Sequence, residues 1–105
     1  MTLQDVYQAL MSLKLPIAYY SFLEGQAPDV PYIIYYNPED TVLKADNTNY
    51  IKHKRIIVEV YTPQKDIELE NQIETLFDEL SFIYTKQETY LQSERMYMLA
   101  YDFFI

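Results

Sequence analysis

The second half of the chain, Ile56 to Ile105, reads as strand, acidic helix, strand and strand, with little between them to interrupt the order. The first strand, Ile56-Ile57-Val58-Glu59-Val60-Tyr61, alternates. Ile56, Val58 and Val60 share one face, and Ile57, Glu59 and Tyr61 share the other. Both faces are partly apolar, which suits a central strand covered by a helix on one side. Thr62-Pro63 then supplies a cap and a first helical residue. Asp66, Glu68, Glu70, Glu74, Asp78 and Glu79 make this helix acidic, and acids in its first turn suit the positive end of the dipole. Leu69, Ile73, Leu76, Phe77 and Leu80 form its apolar stripe. Phe82 to Leu91 reads as a strand and Gln92-Ser93-Glu94 as a tight turn. Arg95 to Ile105 is the final strand, with Tyr97, Leu99, Tyr101, Phe103 and Ile105 on one face.

The first half supplies a helix and further strands. Thr2 caps a helix with Asp5 in capping-box position, and Leu3, Val6, Tyr7, Leu10 and Met11 form one stripe. Pro16 ends this helix near Lys14. Ile17 to Leu23 and Pro31 to Tyr36 read as two strands of a hairpin around the turn at residues 24–29, and Asn37-Pro38-Glu39-Asp40 stops the second. Val42-Leu43 can start a short strand, Ala45 to Asn49 a turn, and Tyr50 to Tyr61 one long strand. The resulting order is α-β-β-(β)-β-α-β-β. It predicts one α+β domain over residues 1–105, a mainly antiparallel sheet with two helices packed on it.

Composition narrows the functional classes. With no Cys there is no thiol nucleophile, disulfide or thiolate metal site. The single Gly, Gly25, excludes glycine-rich phosphate loops and dinucleotide fingerprints. Sixteen acids against eight bases give a net charge of −8, which opposes free binding to nucleic acid. No apolar run reaches the ~20 residues of a membrane span, and the N-terminus shows no signal-peptide pattern. Tyr is the outlier at 12 residues. It suits half-buried strands as well as interfaces, since one end is apolar and the other can stay wet.

No constellation points to catalysis. His53 is the only histidine, and it sits among Lys52, Lys54 and Arg55, which oppose its protonation and repel a metal ion; an exposed strand residue is the expectation. Ser21, Ser81 and Ser93 have no credible base. The expectation is therefore a non-enzyme without catalytic residues, metal or cofactor. Two charged groups stand out as candidate subunit or partner contacts. Asp66, Glu70, Glu74 and Asp78 recur every four residues and form an acidic row on the second helix, with no Lys in helical register to pair them. That row is a solvated face or a surface for a basic partner or neighbouring copy; a metal site is the weaker third reading, because carboxylates in a straight row rarely converge on one ion. Lys52, Lys54 and Arg55 form a basic cluster that protects a strand edge, meets an acidic row on a neighbouring copy in a heterologous contact that closes rings, or touches a phosphate backbone.

From Ala45 onward the chain resembles a family of small prophage proteins from long-tailed phages of Gram-positive bacteria. The stretches that carry the resemblance are Pro31-Tyr32-Ile33-Ile34-Tyr35, Ala45-Asp46-Asn47, Val58-Glu59-Val60-Tyr61-Thr62, Asp66 with Glu70 and Glu74, Tyr84-Thr85-Lys86-Gln87-Glu88-Thr89-Tyr90 and Ser93-Glu94-Arg95-Met96-Tyr97. They come in the expected order, and none is a mechanistic motif by itself. The family looks like the tail-terminator or tail-completion proteins that join tail to head. The resemblance implies a small α/β domain that self-assembles into a ring, such as a hexamer. It also implies contacts with the major tail-tube protein and a head-completion protein, with DNA only as passing cargo, and a place in the virion neck after assembly in the host cytoplasm. An acidic protein suits that task, because repulsion from phosphate lets DNA slide. The alternatives are a head-closure or neck connector, and an adaptor that binds a protein partner through its acidic helix.

Overall fold

The computed structural model describes residues 1–45 and 49–105, and the side chains of these except 41–52. The fold is α+β, with helix α1 (Leu3–Met11), strands β1 (Ile17–Tyr19), β2 (Tyr32–Tyr36), β3 (Asp40–Ala45) and β4 (Asn49–Thr62), helix α2 (Ile67–Glu79), and strands β5 (Tyr84–Leu91) and β6 (Met96–Phe104). The sheet runs β1-β2-β4-β6-β5, and β3 pairs with the first part of β4. All pairings are antiparallel except β1 with β2.

Each helix begins on a side-chain cap. Thr2 accepts from the Asp5 backbone N–H at 3.1 Å, and Asp5 accepts from Thr2 N–H at 2.8 Å, the expected capping box. For α2 the expected cap was Thr62. Instead Thr62 is buried as the last residue of β4, and Asp66 caps the helix by accepting from Leu69 N–H at 3.0 Å. Asp is as good a cap as Thr, and it stands three residues before Leu69, the first buried residue of the stripe. The first helix also ends earlier than Pro16 alone implies. It stops at Met11, and Lys14 takes a left-handed φ of 60°.

The core lies between the helices and one face of the sheet. Val6 and Leu10 of α1 and Leu69, Ile73 and Phe77 of α2 pack on Ile33, Tyr35, Ile56, Val58, Val60, Leu99, Tyr101 and Phe103. These strand residues have one parity, as the alternation in β4 and β6 predicts. Phe77 is the hub, with Tyr101 edge-on at 5.3 Å and Phe82, Tyr84 and Phe103 at 5.2–5.7 Å.

The expected β1–β2 hairpin is a parallel pair instead, with Ile17 opposite Ile33 and Tyr19 opposite Tyr35. The extended run ends at Tyr19 because Tyr20 turns left-handed, with φ 66°. The segment 20–31 then has about the dozen residues a parallel connection requires. A second departure concerns Asn37 to Asp40, which interrupt pairing without ending it. Tyr36 opposes Ile57 and Asp40 opposes Lys54, so four steps on one strand face three on the other. That extra residue is a β-bulge. Asn37 stabilises it by donating its side-chain amide to Arg55 O at 2.7 Å and Glu39 O at 3.0 Å. Beyond the bulge, β3 and the first residues of β4 form a two-stranded arm. At about 3.3 Å per residue, β4 is about 45 Å long, close to the molecule's 51 Å long axis. The turn expected over Ala45 to Asn49 falls in part on residues 46–48, outside the described residues.

Candidate assembly surface

The second face of the sheet carries no helix. Its side chains form three rows across the central strands: Tyr32, Tyr61 and Met98; Ile34, Glu59 and Ala100; Tyr36, Ile57 and Asp102. Ile34 is buried and the rest are half-buried. At the centre, the Glu59 carboxylate accepts from Tyr61 OH at 2.7 Å and from Tyr36 OH at 2.9 Å. Burial and the hydrogen bond to this carboxylate push the Tyr36 hydroxyl up to about 12, and the same causes raise Tyr61. The two hydroxyls thus stay neutral donors and fix Glu59 between Ile34 and Ala100.

The segment 20–31 covers one end of this face. Tyr20 stacks on Tyr36 at 4.9 Å and Phe22 meets Tyr32 edge-on at 5.2 Å. Between this segment and the sheet lies an open cleft of about 370 Å³ lined by Phe22, Tyr32, Ile34, Tyr61, Leu91 and Met96 among others. The far side of the face, through Ile57, Met98 and Ala100, is left without such a cover. Apolar, aromatic-rich surface of this kind marks protein contact more often than chemistry.

Of the candidate charged residues, Asp66, Glu70, Glu74, Lys54 and Arg55 are engaged within the chain. Glu70 is buried, although it was expected in a solvated row or at a partner. Lys65 Nζ lies 2.9 Å from Glu70 Oε1 and 2.7 Å from Oε2, and Lys86 of β5 donates to Oε1 at 2.6 Å. Lys86 also donates to Glu74 at 2.9 Å, and Glu74 accepts from Tyr101 OH at 2.9 Å and Tyr84 OH at 3.3 Å. Burial opposes ionisation of both carboxyls. The Lys65 and Lys86 ammonium groups outweigh it at Glu70, Lys86 and Tyr101 outweigh it at Glu74, and both stay ionised below the ordinary carboxylate range. Asp66 is the helix cap, and Asp78 remains exposed. The row's cations therefore come from Lys65 and the sheet, not from the helix, so helical spacing alone did not reveal them.

The basic cluster is likewise tied down where its side chains are described. Arg55 Nε donates to both Asp102 oxygens at 3.0 and 3.1 Å, and its Nη1 donates to Glu39 at 3.1 Å. Lys54 pairs with Asp40 across the arm at 3.2 Å. His53 is half-buried rather than exposed, edge-on to Phe104 at 6.3 Å. The Lys52 side chain lies outside the described residues; its backbone belongs to β4 opposite Val42. The sequence reading missed Glu59 with Tyr36 and Tyr61. The signal was present in the alternation, which puts all three on the face that α2 does not cover.

Among the described residues, no group of three or more His, Asp or Glu is placed to hold a metal ion. Among them, too, no helix is long and apolar enough to cross a membrane. Compared with known protein families and with curated proteins, the chain matches none.

Proposed function

We propose that this protein is a self-assembling structural component of a phage neck, a tail terminator or tail-completion protein that forms a ring at the head–tail junction. The observation that carries the reading is the helix-free sheet face, where Ile57, Met98 and Ala100 are left half-buried around the pinned Glu59. An isolated domain of this size gains little from leaving such a face open, whereas a repeating assembly buries it once per copy. The prophage-family resemblance supplies the context, and the net charge of −8 suits a lumen through which DNA passes without sticking. The adaptor alternative is weakened, since Glu70 and Glu74 of the acidic helix are occupied by Lys65, Lys86, Tyr84 and Tyr101.

Light scattering and negative-stain electron microscopy test this reading, on the protein alone and mixed with a major tail-tube protein. Rings, or caps on tube ends, are the expected result. Monomer under both conditions overturns it. Capture by a head-completion protein without any binding to the tube moves the assignment to a head-closure role.

A further inference from the structure

The sheet leaves two unequal backbone edges open to a neighbour. At one end stands β1, only three residues long. At the other stands β5, eight residues long, paired to β6 without a bulge from Tyr84 opposite Phe103 to Leu91 opposite Met96. The direction of its backbone groups follows from the ladder. Lys54 and Ile105 exchange both hydrogen bonds, at 3.1 and 2.9 Å. Alternation then turns Phe103, Tyr101, Leu99 and Tyr97 toward β4, and Asp102, Ala100, Met98 and Met96 toward β5. Thr85, Gln87, Thr89 and Leu91 answer the latter set. Tyr84, Lys86, Glu88 and Tyr90 consequently direct their N–H and C=O groups outward.

Natural edges are guarded by Pro, by bulges or by a lysine standing on the edge. This one has no Pro or bulge. Its lysine, Lys86, is drawn over the helix-covered face by Glu70 and Glu74. Meanwhile β3 pairs only with β4 among the described residues, in a two-stranded arm beyond the main sheet. A two-stranded ribbon alone is marginal in water.

Charge selects the pairing. Residues 40–55 hold four of the eight bases and two of the sixteen acids, a net +2, while the remaining residues carry −10. Exposed Asp78 lies near Tyr84 at the start of β5, and Glu88 on the strand is exposed while accepting from Lys65 at 2.8 Å. The basic arm complements the acidic remainder of the molecule, whereas two β5 edges placed together would bring two acidic bodies into contact. We propose that copies join by sheet extension: β3 of one copy adds to the outer edge of β5 in the next, a head-to-tail contact that repeats around a ring. This rests on the self-assembly reading and specifies which surfaces meet.

The test uses two variants of the full chain. Glu88→Pro removes one outward N–H and no ladder bond to β6, with Glu88→Ala as the control that keeps it. Lys44→Glu with Lys52→Glu reverses the arm's charge. Sedimentation should show wild type and Glu88→Ala assembling, and each blocked variant at least tenfold weaker, with the folded circular dichroism spectrum retained. Mixed together, the two blocked variants should form a 1:1 pair that grows no further, since one still has its arm and the other its edge. Glu88→Pro assembling like wild type, or a mixture that stays monomeric, overturns the proposal. So does an arm variant that assembles normally while Glu88→Pro does not, which would mean that β5 edges pair with each other. Failure of wild type to assemble, alone or on the tube, refutes the functional reading itself.

Discussion

Lys86 and Glu70 stand 16 residues apart in the chain, yet the Lys86 ammonium donates a 2.6 Å hydrogen bond into a carboxylate that α2 has buried against the sheet. The same ammonium reaches Glu74 at 2.9 Å. One cation on β5 thus binds two turns of α2, and the helix is fixed to the sheet by charge as well as by Leu69, Ile73 and Phe77.

Removing that cation leaves buried negative charge. Lys86→Met should destabilise the fold by about 2 kcal/mol, below the cost of breaking a fully buried pair because Lys86 is partly solvated. Lys86→Met combined with Glu70→Met should cost less than the sum of the single changes, since neither charge is then left alone. Urea denaturation of the four proteins of the cycle measures both. Equal, additive losses would mean that the contact contributes nothing.

The same cluster sets an acid limit. Glu70 and Glu74 are held below 4.5 in the folded state. A depressed carboxyl contributes stability that is present above its unfolded value, near 4.5, and is lost as pH falls through the folded value. Stability should therefore decline from about pH 4.5 downward, with Asp5 acting in the same direction through its bonds to Thr2. Glu70→Gln with Glu74→Gln should begin less stable at pH 7 and show a flatter profile between pH 5 and pH 3. Denaturation midpoints across that range decide it; parallel profiles would place the acid sensitivity elsewhere.

Much of this architecture was legible because polarity alternates on a two-residue period in β4 and β6 and on a helical period in α1. The placement of Glu70 was not read, although Glu70, Ile73, Glu74 and Phe77 share a helix face, because a carboxylate counts as surface until a cation is found for it. That cation came from a strand sixteen residues on. The parallel β1 was invisible for a related reason. Local turn signals suggest a hairpin, and only the three-dimensional course of residues 20–31 shows the chain returning to run alongside.

Helix α2 depends on a cap that local spacing misplaced. Asp66→Ala should cost about 1 kcal/mol by leaving Leu69 N–H without its acceptor, and Asp66→Asn only a few tenths. Thermal melts of the two variants give the order. An alanine variant as stable as wild type would mean that water replaces the cap without loss.

Phe77 carries more of the core than any other residue of α2, since Phe82, Tyr84, Tyr101 and Phe103 all close on its ring within 5.7 Å. Phe77→Ala should cost about 3–5 kcal/mol, and Phe77→Leu clearly less, because leucine leaves a smaller cavity. Chemical denaturation of both reads the difference; similar losses would point to collapse of the aromatic cluster rather than to cavity size.

Ile57 tests the open face, because it lies between Tyr36 and Asp102 on the side without helices and belongs to no part of the buried core. A lysine there can extend its stem over the sheet and keep its ammonium in water, so the monomer should lose less than about 1 kcal/mol. Across a packed interface the same charge would be desolvated without a partner, at several times that cost. Ile57→Lys should therefore leave the melting temperature within a few degrees while reducing assembly at least tenfold in light scattering. If the melting temperature drops sharply and the assembled fraction follows it, the face is an ordinary part of the fold. If neither changes, contact between copies lies elsewhere, and the β5 edge and the β3–β4 arm must carry it without this surface.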